Sequence, residues 1–113
     1  ELDIESIKKA INHLIGTHNF KSFTKTDLEK EDYVRTIYSI DLVRENDLLT
    51  FTFKGNGFLR YMVRNIVGTL IQVGENKLKS DDILHIIESE DRKEAGKTAN
   101  PEGLYLKDVK YNN

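Results

Sequence analysis

The chain has 113 residues, 38% of them hydrophobic and 32% charged, with a net charge of −2. That describes one domain around one core, and it excludes a disordered segment; no apolar run reaches the ~18 residues that a membrane-crossing helix takes. There is no cysteine, which excludes disulfides and is compatible with the cytosol, and the chain opens on Glu1 rather than Met, as a piece of a longer polypeptide would.

Leu2, Ile4, Ile7, Ile11, Leu14 and Ile15 recur at helical spacing, with Asp3 or Ser6 as N-cap and Gly16 as the stop. His18 to Thr24 reads as an irregular segment carrying two aromatic anchors, and Asp27 to Asp32 as a charged connection. Val34, Thr36, Tyr38, Ile40 and Leu42 then alternate, Glu45-Asn46-Asp47 supplies turn chemistry, and Leu49, Phe51 and Phe53 resume the alternation. Two such runs around a short polar turn predict an antiparallel hairpin.

Residues 57–74 follow one helical pattern that is apolar on most faces, closed by Gly74. Ser80-Asp81-Asp82 predicts the cap of a further helix with Ile83, Leu84, Ile86 and Ile87 on its inner side, and Arg92 to Asn100 reads as loop. Pro101-Glu102-Gly103 delivers a last strand over 104–111. The order predicts a single α+β domain, 1–113. Its sheet is mostly antiparallel, a hairpin over 34–54 plus the strand 104–111, and is covered on one face by helices.

Two arginines, Arg60 and Arg64, sit inside the oily helix. A guanidinium keeps its proton and needs a carboxylate, a phosphate or several carbonyls when buried. Gly57, Arg60, Arg64 and Gly68 share one stripe, and the glycines lower the ridge beside Arg64 so that another chain could approach it. A salt bridge to the Glu88–Asp91 region would serve as well, and spacing leaves both open. Net charge argues mildly against nucleic acid, yet from Leu48 to Gly74 there is no acid while Lys54, Arg60 and Arg64 all fall there.

Other constellations are weaker. Gly55-Asn56-Gly57 supplies two glycines of a dinucleotide-binding turn, but Arg60 occupies the third position. His13, His18 and His85 do not make a metal set, and no serine or threonine stands in a nucleophile motif. Phe20 and Phe23 could stack bases, although rings at that spacing more often belong to a core.

Four ordered stretches go further. Phe58-Leu59-x-Tyr61-Met62-Val63-Arg64-Asn65-Ile66-Val67-Gly68, followed by Gly74, resembles the central signature of the tRNA pseudouridine synthase A family. Gly16-x-His18-Asn19-Phe20-x-Ser22-Phe23, Arg35-Thr36-Ile37 and Thr98-Ala99-x-Pro101-Glu102-Gly103-Leu104-Tyr105-Leu106 resemble three more of its segments, so that the likeness spans about residues 3–111.

The resemblance implies an enzyme that isomerises uridine to pseudouridine in the anticodon stem-loop of tRNA, without metal or cofactor. It implies that Arg64 pairs with the nucleophilic aspartate and that Leu104 packs beside the target base. RNA contacts are assigned to Arg60, Lys54, Phe20 and His18. The family's arginine-threonine-aspartate motif is absent, since Arg35-Thr36 continues with Ile37. The chain therefore resembles a C-terminal half, inactive alone, whose partners are tRNA, the missing N-terminal half and a second copy in a cytoplasmic homodimer, with no membrane. The rival expectations are a non-catalytic module binding RNA or a protein, and a nucleotide-binding fold built on Gly55-Asn56-Gly57.

Overall fold

Asp3 starts the first helix: its carboxylate accepts from the Ser6 amide at 3.1 Å and the Ser6 hydroxyl at 2.9 Å. Those bonds favour the ionised form and hold the Asp3 carboxyl below its usual pKa. The computed structural model describes residues 2–25, 32–46, 48–99 and 106–111, the last of these as backbone. Helix α1 (Ile4–Leu14) buries Ile7, Ala10, Ile11 and Leu14. Gly16, at φ 108°, then turns the chain into a strand.

That strand, β1 (Gly16–Asn19), lies where the sequence predicts an irregular segment, and it pairs antiparallel with Ile37 to Val34. It is a four-residue edge without an apolar alternation, so only its partner reveals it. The turn after it, Lys21–Phe23, drops Phe20 and Phe23 fully into the core.

The predicted hairpin forms as β2 (Val34–Glu45) and β3 (Leu48–Gly55), with Ile40 opposite Phe53 and Leu42 opposite Phe51. Its turn passes through Asn46 at φ 56°. Leu49, Phe51 and Phe53 are buried under the helices, while Thr50 and Thr52 are half-buried on the other face and Lys54 is exposed there. A register shift between Ile37 and Ser39 leaves Tyr38 exposed.

Strand β4 (Leu106–Tyr111) completes the sheet order β1-β2-β3-β4, pairing with β3 in parallel. The sheet is thus antiparallel at two junctions and parallel at the third. The physical reason is the connection: the chain leaves β3, crosses through two helices and returns in the same direction. Asp27 to Glu31 of the predicted charged connection, Asp47 of the predicted turn, and residues 104 and 105 of the predicted last strand lie outside the described residues.

Those helices are α2 (Met62–Gly74) and α3 (Asp82–Ser89). The helix predicted from residue 57 starts only at Met62, which leaves Gly55 as the last residue of β3 and Gly57 in the connection rather than at a helix N-terminus. The dinucleotide expectation loses its premise there, because the turn it needs has glycines opening directly into a helix, and α2 begins five residues after Gly57. Gly55 has a packing reason instead: a Cβ on it would lie 2.6 Å from the Thr36 carbonyl oxygen.

Helix α2 is buried nearly all round, from Met62 and Val63 through Ile66, Val67 and Leu70 to Val73. Helix α3 buries Ile83 and Ile86, but Leu84, predicted on its inner side, is exposed. Asp81 makes no capping bond; Asp82 accepts from the Lys79 amide at 2.8 Å, and Asp81 meets His13 at 3.0 Å, tying α1 to the start of α3. Among the described residues no helix is long and apolar enough to cross a membrane.

Candidate active site

The turn that delivers the chain from β3 into α2 runs against backbone preference. Tyr61 sits at φ 63°, a left-handed conformation that costs an aromatic residue of order 1–3 kcal/mol and persists only where its surroundings impose it. They do. The Thr24 hydroxyl donates to the Arg60 carbonyl at 2.7 Å, the Met62 amide to the Leu59 carbonyl at 3.0 Å, and the Asn65 amide to the Tyr61 carbonyl at 2.9 Å. The consequence is that the Tyr61 ring stands among cations, with the guanidinium carbons of Arg60 and Arg64 at 5.3 and 5.2 Å and Lys25 Nζ at 6.0 Å from its centre. Such contacts favour charged heads above a ring face.

Arg64 follows on the first turn of α2 and is half-buried. Its Nε donates to the Ala99 carbonyl at 3.2 Å, and its own carbonyl accepts from the Ala99 amide at 3.0 Å. Among the described residues no carboxylate forms an ion pair with it; the Glu88–Asp91 region, expected as one possible partner, does not supply one. The guanidinium instead lines an open cleft of about 400 Å³, together with Lys25, Tyr61, Asn65, Arg92 and Thr98. A site with three cations on its walls can hold a carboxylate or a phosphate, and Arg64 can grip either with two parallel bonds.

One wall of the cleft is a segment that the sequence presents as loop. Its first residues, Arg92–Glu94, form a short 3-10 turn rather than loop, and residues 96–99 lie against α2. The Gly96 amide donates to Thr69 Oγ1 at 2.8 Å, and a Cβ on Gly68 would come within 1.6 Å of the Lys97 carbonyl oxygen. Gly68 therefore does allow close approach, as its place beside Arg64 predicts, but the approaching backbone belongs to this same chain. Asn65, 1% exposed, holds the segment from below. Its Nδ2 donates to the Phe23 carbonyl at 2.7 Å, and its Oδ1 accepts from Thr98 Oγ1 and from Arg92 Nη2, the latter at 3.2 Å. Burial lowers the pKa of Arg92, and an arginine so held remains charged.

The remaining predicted residues fall apart from one another. Arg60 is exposed beside the Tyr61 ring and does not itself line the cleft. Lys54 is exposed on β3 and does not line the cleft. His18 is half-buried on β1, bonded through Nε2 to the Ile15 carbonyl at 3.0 Å and set edge-on to Phe20. Phe20 is 0% exposed, so it offers no face to a base: it is a core ring, and its assignment to RNA contact is corrected accordingly. Leu104 lies outside the described residues. Tyr61 and Thr98, which stand in the sequence only as members of longer motifs, and Arg92, which stands in none, join the cleft as site residues. The signal that could have found the wall is the pair of small residues Gly68 and Gly96, which makes sense only if two backbones touch. No three His, Asp or Glu side chains gather as a metal set among the described residues.

A family model described as tRNA pseudouridine synthase matches residues 10–112. The chain is 53% identical over 112 residues to tRNA pseudouridine synthase A 1 of Bacillus cereus, covering 99% of this chain and 45% of that protein. It is 50% identical to tRNA pseudouridine synthase A of a Geobacillus species, over 99% of this chain and 45% of that protein. With the Streptococcus pneumoniae protein of the same name the identity is 47%, over 97% of this chain and 45% of the relative. The chain thus spans somewhat under half the length of the curated relatives it matches.

Proposed function

This chain belongs to the tRNA pseudouridine synthase family, and from that premise we propose that it is the C-terminal part of the catalytic region of such an enzyme, isomerising uridine to pseudouridine in the anticodon stem-loop of tRNA. The nucleophilic aspartate comes from the N-terminal half of the same polypeptide and seats against Arg64. It attacks the nucleoside, the base detaches, turns, and rejoins through carbon, with no metal or cofactor taking part. The observation that carries this reading is Arg64 itself: it lines an open cationic cleft, tied to its own chain through Nε and forming no ion pair with any described carboxylate.

The chemistry asks for such a group. A nucleophilic carboxylate has to stay ionised in a site that excludes water, and a guanidinium beside it lowers its pKa and fixes its two oxygens in a plane. Leu104 packs beside the target base and keeps water from the glycosidic bond. Arg60 and Lys54, both exposed, contact the tRNA backbone, and His18 adds a contact at the sheet edge. The complete enzyme works as a cytoplasmic homodimer, while these 113 residues alone turn over no tRNA because they lack the attacking group.

The test is Arg64→Lys in the complete enzyme. The planar fork is lost while the charge stays, so kcat should fall about 10²-fold or more with the tRNA Kd nearly unchanged. A parallel loss of affinity and turnover would mean that Arg64 holds a phosphate and would remove the basis of this reading.

A further inference from the structure

Arg92 makes three side-chain hydrogen bonds in the cleft, all of them to the protein frame. Its Nη1 donates to the Gly96 carbonyl at 2.9 Å, and its Nη2 to Asn65 Oδ1 and Thr98 Oγ1, both at 3.2 Å. The three acceptors are a backbone group of the wall, a wall side chain and a buried side chain of α2. Arg92 therefore staples segment 96–99 to the helix at the residue immediately after Arg64. The same segment ends at Ala99, whose carbonyl holds Arg64 Nε and whose amide is held by the Arg64 carbonyl. A continuous set of bonds runs from Arg92 through Thr98 and Ala99 to the guanidinium that faces the cleft.

We infer that Arg92 is a positioning residue: by fixing the 96–99 backbone in the α2 groove, it sets the plane in which Arg64 presents its guanidinium to an incoming carboxylate. The physical argument is the difference between the two arginines. Arg64 spends one N–H on the protein frame through Ala99 and can turn about that bond. Arg92 uses both terminal nitrogens on the frame, so its planar fork fixes the distance between wall and helix in a way that a lysine's single head cannot. Asn65 is the fulcrum. Its Nδ2 donates one bond and its Oδ1 accepts two in a buried network, where a lost member leaves others unsatisfied. Small displacements of such a group matter, since a misplacement of about 1 Å can cost 10²-fold in rate.

This inference rests on the proposed role of Arg64, and the experiment separates the two. In the complete enzyme, kcat, tRNA Kd and thermal midpoint are measured for Arg92→Ala, Arg92→Lys, Thr98→Val and, as reference, Arg64→Lys. Arg92→Ala should lower kcat by about 10- to 100-fold with Kd within about two-fold, and guanidinium ion added to the buffer should restore part of the loss. Arg92→Lys should not rescue kcat, and Thr98→Val should give a smaller loss of the same kind. Should Arg92→Ala fail to fold, the other two variants decide the matter by the same split. Weaker tRNA binding at unchanged kcat would make Arg92 an RNA contact and overturn the inference; so would losses of kcat that merely track the thermal midpoint. If Arg64→Lys is silent, the reading of Arg64 falls first; if it abolishes turnover while Arg92→Ala and Thr98→Val do not, only the positioning role falls.

Discussion

Helix α2 has two sides built on different physics. On one side it shows Met62, Ile66, Leu70 and Val73, apolar and buried in the common core, and any residue of the right volume satisfies that side. Toward the cleft it shows Arg64, Asn65, Gly68 and Thr69, each matched to particular atoms of the segment 96–99. The first side holds the domain together; the second holds one guanidinium in place. Damage to the two sides should therefore differ in kind.

The largest effect on stability belongs to the core side. Ile66→Ala removes a fully buried side chain and should cost about 2–5 kcal/mol in denaturant unfolding. Whatever enzyme remains folded should turn over normally. Gly68→Ala comes next, since its Cβ cannot coexist with the Lys97 carbonyl and the wall has to move. A cost of about 1–3 kcal/mol is expected from such overpacking, with a loss of turnover in the complete enzyme that exceeds anything stability explains. If Gly68→Ala instead behaves like Ile66→Ala, the two sides of α2 are not distinct.

The smallest effect is at the far end of α2 from Arg64, where the Asp3 amide donates to the Gly74 carbonyl at 2.8 Å through a bond that a side-chain change leaves in place, and it calibrates both sides. Asp3→Ala removes the cap of α1 and should lower the denaturant midpoint slightly at neutral pH without touching turnover. Hydrogen bonds from Ser6, backbone first and hydroxyl second, lower the folded pKa of Asp3 below its ordinary 3.8. The cap's contribution is therefore complete above that value and is lost as pH falls through the lower folded one. The gap between Asp3→Ala and the parent should close in acid; a gap independent of pH would mean that the carboxylate does not cap.

The same division explains what could be read from the residues alone. The core side of α2 and the inner faces of β2 and β3 are written as periodicities of 3.6 and 2, so helix, hairpin and sheet coverage were legible. Arg64 was legible as a cation in an oily helix. The cleft side was not, because the groove that receives 96–99 exists only once α2 is formed, and Gly96, Lys97 and Thr98 carry no period of their own. Strand β1 escaped for the same reason, its order coming from Val34 to Ile37 across the sheet. Tyr61 escaped because a left-handed aromatic contradicts its own local preference and is imposed by Thr24 from another part of the chain.

The most direct measurement is a structure of the complete polypeptide with the Arg64 guanidinium resolved. It should show two parallel N–H···O bonds of about 2.7–2.9 Å to a carboxylate that lies outside these 113 residues, with Ala99 still accepting from Nε. An Arg64 bonded only within this chain, or turned away from the cleft to meet one of its own acidic residues, would contradict the account.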